Sequence, residues 1–271
     1  MNPDSESKLI EQAQRMKERW NKGDYARFSY YWRDGAKKIA DELAFKPNEK
    51  VIDIACGNGN LSVEVTLKGA EVTGIDINPN LVEQAKNRAR EEGLIINYLE
   101  GNGMQIPFPS NYFDAAVSLN GIMFCPKPEV ASNELLRVCK PGSRIFIYNW
   151  TPTSLFAELI GIFNKYIPIE GSAYNPMVWG TSEFTAELFS GKVKKLECSV
   201  KEYPINYPFS IEEVILFYRK YFPRGVDMDN ISIDIQNEMN KEFRNMWEKY
   251  NKAVDGTVSV FSDYLELKMV K

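Results

Sequence analysis

Histidine is absent from this chain of 271 residues. The imidazole side chain is the commonest general base in enzymes and the commonest transition-metal ligand. Its absence excludes a Ser-His-Asp hydrolase, a Cys-His protease and a histidine-based metal centre, and the sequence predicts no metal site.

Cysteines are few and long apolar runs are missing. The four cysteines are scattered, with no C-x-x-C pair, which suits a reducing compartment and gives no zinc-binding spacing. No run of about 18 apolar residues exists, and the charged first 20 residues lack an apolar signal core. We therefore expect no secretory signal, no membrane span and a cytoplasmic location.

An excess of basic residues is also missing. The chain has 33 Lys and Arg against 37 Asp and Glu, a formal net charge of −4. This balance argues against a broad nucleic-acid-binding face and favours a small-molecule partner. The length suits one large domain or a core domain with an insertion, and oligomeric state stays open.

The most informative stretch of the sequence is VIDIACGNGN, residues 51–60. Apolar residues predict a buried strand that ends near Asp53. Gly57 and Gly59 predict a tight turn, and a helix over 61–68 follows. This strand–turn–helix arrangement brings backbone N–H groups against a nucleotide-like ligand. A carboxylate at Asp53 would repel a pyrophosphate and suit a cationic ammonium group.

A second strand–helix unit follows directly. Glu71–Asp76 is predicted to be a strand, Asn78 a helix N-cap, Pro79 the first helical residue and Gly93 the stop. Asp76 lies one such unit after Asp53, where an acid accepts hydrogen bonds from both ribose hydroxyls. The feature does not separate NAD from S-adenosylmethionine, since both carry an adenosine ribose.

Further alternation completes the pattern. Strands are predicted over 95–100, 113–118 and 144–150, with a helix over 129–139 and a turn at 140–142. Alternating strands and helices predict an α/β fold with a doubly wound, mostly parallel sheet.

These segments resemble a known family. D-x-A-C-G-x-G, from Asp53, resembles motif I of class I S-adenosylmethionine-dependent methyltransferases, with Ala55 where the family more often has glycine. G-N-G-M-Q-I-P-F, followed by Y-F-D-A-A-V-S, and E-L-L-R-V-C-K-P-G-S-R-I are similar to stretches of the ubiquinone/menaquinone-biosynthesis-type group, methyltransferase types 11 and 25.

The resemblance implies a Rossmann-like seven-stranded sheet that binds S-adenosyl-L-methionine and releases S-adenosyl-L-homocysteine. Asn102 stands where the family has an aspartate that binds the adenine amino group, and the N–H of Gly103 would reach the ring. The cofactor-binding residues that it implies are Asp53, Ala55, Cys56, Gly57, Gly59, Asp76, Ile77, Asn102, Gly103, Met104, Leu119 and Asn120.

Domain boundaries follow from the loosening pattern after residue 150. We expect an N-terminal helical flap over 1–45, which includes a charged helix over 5–22, and a cofactor-binding core over 46–150. A mainly helical substrate cap is expected over 151–256, with one core strand near 193–203 inside it. The last core strand is expected over 257–271.

The implied reaction is S_N2 methyl transfer to a small organic or lipid-like acceptor, mainly by positioning. No catalytic residue is assigned, although a base could come from Tyr30, Tyr31, Tyr148, Tyr174 or Glu183. One alternative is a non-catalytic S-adenosylmethionine-binding regulator. Another is an NAD-dependent oxidoreductase, which the glycine spacing opposes because it does not match G-x-G-x-x-G.

Overall fold

A seven-stranded sheet forms the centre of the protein. The computed structural model describes residues 14–169 and 174–271. The strand order is β3-β2-β1-β4-β5-β7-β6. The strands are β1 (Lys50–Ile54), β2 (Glu71–Asp76), β3 (Asn97–Glu100), β4 (Phe113–Leu119), β5 (Cys139–Trp150), β6 (Lys195–Tyr207) and β7 (Val258–Val270).

Helices cover the sheet and the carboxyl ends of its strands. Residues 14–20 are helical. The further α-helices are α1 (Tyr25–Phe28), α2 (Arg33–Asp41), α3 (Asn60–Leu67), α4 (Pro79–Glu91), α5 (Pro128–Val138), α6 (Leu155–Tyr166), α7 (Ser182–Phe189), α8 (Ile211–Tyr221) and α9 (Ile233–Tyr250). Short 3-10 segments are Ser29–Trp32, Ile122–Phe124, Pro176–Gly180 and Gly225–Asn230. Of the predicted helix over 5–22, residues 5–13 lie outside the described residues.

The sheet has the predicted doubly wound, mostly parallel form. β1 to β5 pair in parallel, and β7 pairs antiparallel with both β5 and β6. β1 and β4 are buried along almost their whole length because helices cover both faces of the sheet. The strand order reverses between β1 and β4, and ligands of such sheets bind beside this switch point.

Helix caps form as the sequence predicts. The side chain of Asn78 accepts hydrogen bonds from the N–H groups of Asn80 and Leu81, Pro79 opens α4, and Gly93 follows with φ +67°. These signals are local, so they survive tertiary packing and fix where α4 begins and ends.

Two strand boundaries differ from the prediction. The turn predicted at 140–142 lies inside β5, because Cys139 already pairs with Phe113 and the register then jumps to Arg144 opposite Ala115. β6 runs on to Tyr207 because its last residues keep pairing with β7. The start of β5 depends on its pairing with β4, and the end of β6 depends on its pairing with β7, more than 50 residues away in the sequence, so no local pattern could reveal either boundary.

In the part of the chain that the structure describes, no helix is long and apolar enough to cross a membrane.

Candidate functional site

A cleft opens at the carboxyl ends of β1, β2 and β4, beside the switch point. Including its open mouth, it encloses about 1020 Å³ of empty space. Eleven of the twelve residues that the sequence proposes for the cofactor line it, and Gly59 does not. The eleven are Asp53, Ala55, Cys56, Gly57, Asp76, Ile77, Asn102, Gly103, Met104, Leu119 and Asn120.

Asp53 is buried at the end of β1. Its side chain is 1% exposed, and one carboxylate oxygen accepts a hydrogen bond of 2.6 Å from the hydroxyl of Ser62. Burial raises the pKa of Asp53 to about 7, and the nearby charge of Asp76 adds to this increase against the hydrogen bond from Ser62. A cation bound beside this carboxylate would replace the lost hydration.

Asp76 has the equivalent position on β2. Its two oxygens accept the backbone N–H groups of Gly57, at 2.8 Å, and of Asn78, at 2.9 Å. Burial raises the pKa of Asp76 to about 6, although these backbone hydrogen bonds oppose the shift. The carboxylate is therefore fixed against the glycine turn, and its remaining lone pairs are available to a ligand.

The turn between β1 and α3 holds three residues in the left-handed region, and two of them, Ala55 and Gly57, line the cleft. Ala55 has φ +55° and Gly57 has φ +56°. Ala55 accepts this conformation at a steric cost that glycine would avoid, and it occupies the position where the resembled family more often has glycine.

Gly59, by contrast, serves packing. It is the N-cap of α3 with φ +82°, and a Cβ there would lie 2.3 Å from the hydroxyl oxygen of Tyr98. The motif is right that the turn needs a glycine at this position, because its φ is positive and a Cβ would meet Tyr98. Gly59 does not, however, line the cleft.

Asn102 and Gly103 line the cleft after β3. The Oδ1 atom of Asn102 accepts the N–H of Met104 at 2.9 Å, which closes a local turn and leaves one lone pair free. A Cβ on Gly103 would lie 3.1 Å from the sulfur of Cys125, so a small residue is needed there. The segment fits a flat ring lying against its backbone.

Aromatic side chains form the opposite side of the cleft. We call them the aromatic wall: Trp20, Tyr25, Trp32, Phe124 and Tyr203. Trp20 contacts the rings of Tyr25 and Phe124 edge-on, with centroids 5.3 and 5.1 Å apart. Two polar groups of the wall are already paired: Trp32 Nε1 donates to the hydroxyl of Tyr207 at 3.1 Å, and Tyr203 donates to the carbonyl of Trp32.

The sequence predicts this wall only in part. The aromatic cluster at 24–32 suggests a flap, and the apolar loop after β4 contains Phe124. No local sequence pattern predicts that Tyr203 lines the cleft, because this residue lies on an edge strand whose position depends on β7. Gly35 packs directly against Tyr203. A Cβ at Gly35 would lie 2.1 Å from the Cζ atom of Tyr203 and would overlap the phenol ring.

The N-terminal segment links the core to the C-terminal helices. Lys17 forms an ion pair with Glu100 at the end of β3, and Lys22 forms one with Asp227. The N–H of Asp24 donates to the carbonyl of Tyr221. Met16, next to Lys17, and Trp20, between Lys17 and Lys22, line the cleft.

None of the five side chains considered as a base lines the cleft. Tyr148 is fully buried in the sheet, and Tyr174 donates its hydroxyl proton to the carbonyl of Met123 at 2.6 Å. Tyr30 is 54% exposed on the surface. Among the described residues there is also no cluster of three or more potential metal ligands.

The chain is similar in sequence to known proteins. Residues 52–147 match the methyltransferase-domain family. An uncharacterized protein of Mycobacterium tuberculosis is 32% identical over 190 residues, which is 65% of each chain. The chain thus spans about two thirds, but not all, of that relative. A sterol 24-C-methyltransferase of Gibberella zeae is 36% identical over 121 residues, 44% of this chain and 32% of that protein.

The fold is shared with solved structures. The YcgJ protein of Bacillus subtilis superimposes with a TM-score of 0.59, covers 88% of this chain and 98% of its own, and is 17% identical. This likeness concerns the fold alone. Residues 52–147 therefore form a domain of the methyltransferase-domain family, and the two acids and the glycine turn lie at its strand ends.

Proposed function

We propose that this protein transfers a methyl group from S-adenosylmethionine to a small organic or lipid-like acceptor. The observation that carries the proposal is the pair of buried carboxylates, Asp53 and Asp76, beside the glycine turn. No lysine or arginine is among the residues that line the cleft, so a cation from outside would compensate the buried acids.

The cofactor of this family fits the donors that the cleft presents. Asp53 would pair with the ammonium group of the methionine part, and Asp76 would accept hydrogen bonds from the ribose hydroxyls. The turn at Ala55–Gly57 leaves room for a ligand against the backbone, and the free lone pair of Asn102 suits the adenine amino group.

When bound, S-adenosylmethionine supplies an electrophilic methyl group on a sulfonium centre. The residues of the cleft then need to align the acceptor and exclude water, and alignment of this kind lowers a barrier by roughly 7–11 kcal/mol. The aromatic wall covers the cleft on the side of the N-terminal segment. Catalysis mainly by positioning is consistent with the absence of the proposed bases from the lining.

An apolar acceptor is supported by the aromatic wall, because large rings bind flat or hydrophobic molecules. The similarity to a sterol methyltransferase, which covers 44% of this chain, agrees with a lipid-like acceptor. The runner-up function is a non-catalytic regulator that binds S-adenosylmethionine and turns the aromatic side of the cleft toward a partner.

Calorimetry with S-adenosylmethionine, S-adenosylhomocysteine and NAD tests the proposal, on the wild type and on Asp76→Asn. We expect both sulfur compounds to bind and NAD not to bind, and we expect the variant to lose at least about tenfold in affinity, since a charge-assisted hydrogen bond is worth roughly 1.5–3 kcal/mol. Asp114→Asn is the matched control. Asp114 also accepts a backbone N–H, from Lys50 at 3.0 Å, but at the opposite end of the sheet.

Binding of NAD alone, or of none of the three, would contradict the assignment of the cleft. Equal losses in Asp76→Asn and Asp114→Asn would show that general destabilisation, and not a ligand contact, explains the effect. Binding of the sulfur compounds without methyl transfer to any of a broad panel of small acceptors would favour the regulator.

A further inference from the structure

The chain takes an unusual backbone conformation directly after β4. Asn120 has φ +51°, and its N–H donates to the carbonyl of Tyr148 at 2.7 Å. At the next residue, Gly121, a Cβ would lie 2.5 Å from the carbonyl oxygen of Ala55. The loop is thus pressed against the glycine turn, and asparagine is one of the few side chains that accepts this conformation at low cost. Asn120 is held at the junction of the turn and the loop that carries Phe124.

One atom of the half-buried Asn120 side chain, its Oδ1, is buried and lacks a hydrogen-bond partner. Among the described residues that line the cleft, Asn120 alone has a buried side-chain oxygen or nitrogen, its Oδ1 atom, without a partner. Such a buried polar atom is rare in folded proteins because its lost hydration is not replaced. A left-handed residue with an unpaired amide at a cleft is the kind of strain that marks a binding role.

Several other polar groups of the cleft have a proposed ligand or a partner. Asp53, Asp76 and Asn102 match the ammonium, ribose and adenine groups of the cofactor. On the aromatic wall, Trp32 Nε1 and the hydroxyl of Tyr203 are paired within the protein. The resemblance counts Asn120 among the cofactor-binding residues, but no group of the cofactor is matched to its Oδ1 atom, which has no partner within the protein.

We propose that Asn120 binds the methyl acceptor by accepting a hydrogen bond from its nucleophilic O–H or N–H group. The acceptor is then a neutral hydroxyl compound or weakly basic amine with an apolar body. A carboxylate or phosphate would meet two acids and no cation in the lining, and an alkene carbon would leave the amide unpaired. The inference rests on the proposed function and narrows its substrate class.

With Asn120 in this role, the atoms and electrons of the methyl-transfer step balance. A lone pair of the acceptor oxygen or nitrogen forms the bond to the methyl carbon while the carbon–sulfur bond breaks. The electron pair of that bond stays on sulfur, which becomes a neutral thioether, and the acceptor proton leaves to solvent. Asn120 holds the O–H or N–H so that a lone pair of the same atom faces the methyl carbon.

Four probes with one ring skeleton test the inference: p-cresol, p-toluidine, p-xylene and p-toluate. Their affinities are measured by ligand-detected NMR on protein saturated with S-adenosylhomocysteine. We expect wild-type protein to bind p-cresol and p-toluidine at least about fivefold more tightly than p-xylene, because a hydrogen bond is gained. We expect p-toluate to bind more weakly than p-xylene.

The variant Asn120→Gly keeps the left-handed backbone and removes the amide, so the advantage of p-cresol and p-toluidine over p-xylene should vanish. Asn120→Asp retains an accepting oxygen and should retain the advantage of p-cresol. The matched control is Asn48→Gly, at an exposed asparagine with φ +62° just before β1, at the end of that strand away from the cleft. It should behave like the wild type.

The affinity for S-adenosylhomocysteine, measured by calorimetry, separates the possible failures. It should stay within twofold in all three variants. A large loss in Asn120→Gly alone would assign the amide to the cofactor and overturn the inference. So would an advantage that persists in Asn120→Gly, or a wild type that binds no probe or that binds p-xylene equally well. Failure of the wild type to bind S-adenosylhomocysteine would instead refute the proposed function.

Discussion

At the scale of single residues, the site depends on two carboxylates kept in an environment that does not favour their charge. Asp53 and Asp76 are both buried, and burial raises both pKa values, to about 7 and about 6. Both groups take up a proton more readily in the folded protein without ligand than in the unfolded chain, and a bound ammonium group would favour the ionised form of Asp53. Ligand binding and proton release are therefore coupled.

The affinity for S-adenosylhomocysteine should depend on pH through Asp53. The folded-state pKa lies above the ordinary value of 3.8. In the cofactor-free protein, the contribution of this group to the unfolding free energy is full below pH 3.8 and is lost as pH rises through about 7. Binding shows the opposite trend, because only the carboxylate pairs with the ammonium group. Calorimetry should show affinity rising between pH 6 and 8, with about tenfold of that rise due to Asp53.

Asp53→Asn provides the comparison. The variant should bind more weakly at pH 8, lose most of the pH dependence and be the more stable protein at pH 8 without ligand. An unchanged pH profile in Asp53→Asn would show that another group, such as Asp76, controls binding.

At the scale of secondary-structure elements, the local signals were the reliable ones. The N-cap at Asn78, Pro79 as the first helical residue and the strand Glu71–Asp76 all appear as predicted. Each is fixed by residues within a few positions of one another. The sequence does not predict the extension of β6 or the bulge in β5, since the first depends on pairing with the distant β7 and the second on pairing with β4.

The N-terminal segment should support the cleft through its contacts with α8, and Gly23→Ala tests this. Gly23 has φ +69°, and a Cβ there would lie 2.5 Å from the carbonyl oxygen of Tyr221. Gly191→Ala is the control, with φ +68° and no atom within 4 Å of the new Cβ. The backbone strain of about 1–2 kcal/mol is common to both variants.

Urea unfolding and S-adenosylhomocysteine affinity are the measurements for this pair. Gly23→Ala should be the less stable variant and should bind the ligand at least about fivefold more weakly, because Trp20 and Tyr25 move with the segment. Gly191→Ala should keep wild-type affinity. If both variants bound S-adenosylhomocysteine with the same affinity, the prediction that the N-terminal segment supports the cleft would be wrong.

At the scale of the whole molecule, the sequence predicts the fold class well, and eleven of the twelve residues that it proposes for the cofactor line the cleft, because motifs at strand ends carry both. It predicts the aromatic wall poorly. Tyr203 and Trp32 meet across 171 positions of the chain, and only the packing of β6 against the N-terminal segment brings them together. Nothing in the pattern of either segment specifies that contact.

Buried residues from Phe28 to Met269 form one large core cluster, so we expect one cooperative unfolding transition. The five tryptophans are spread from Trp20 to Trp247, and their fluorescence should therefore report the same midpoint as far-ultraviolet circular dichroism. S-adenosylhomocysteine at about 100 times its Kd should raise the unfolding free energy by about 2.7 kcal/mol in both signals. A shift in only one signal would reveal independent units.

The strand order has a consequence for how the protein is made. β6 joins the sheet only through β7, which is synthesised more than 50 residues later and lies between β5 and β6. On the ribosome, the glycine turn and both acids emerge early, but Tyr203 has no sheet to pair with until Val258–Val270 has left the exit tunnel. The part of the cleft that contains the glycine turn and the two acids can thus form in the nascent chain. The part of the aromatic wall that contains Tyr203 is completed only after β7 has emerged.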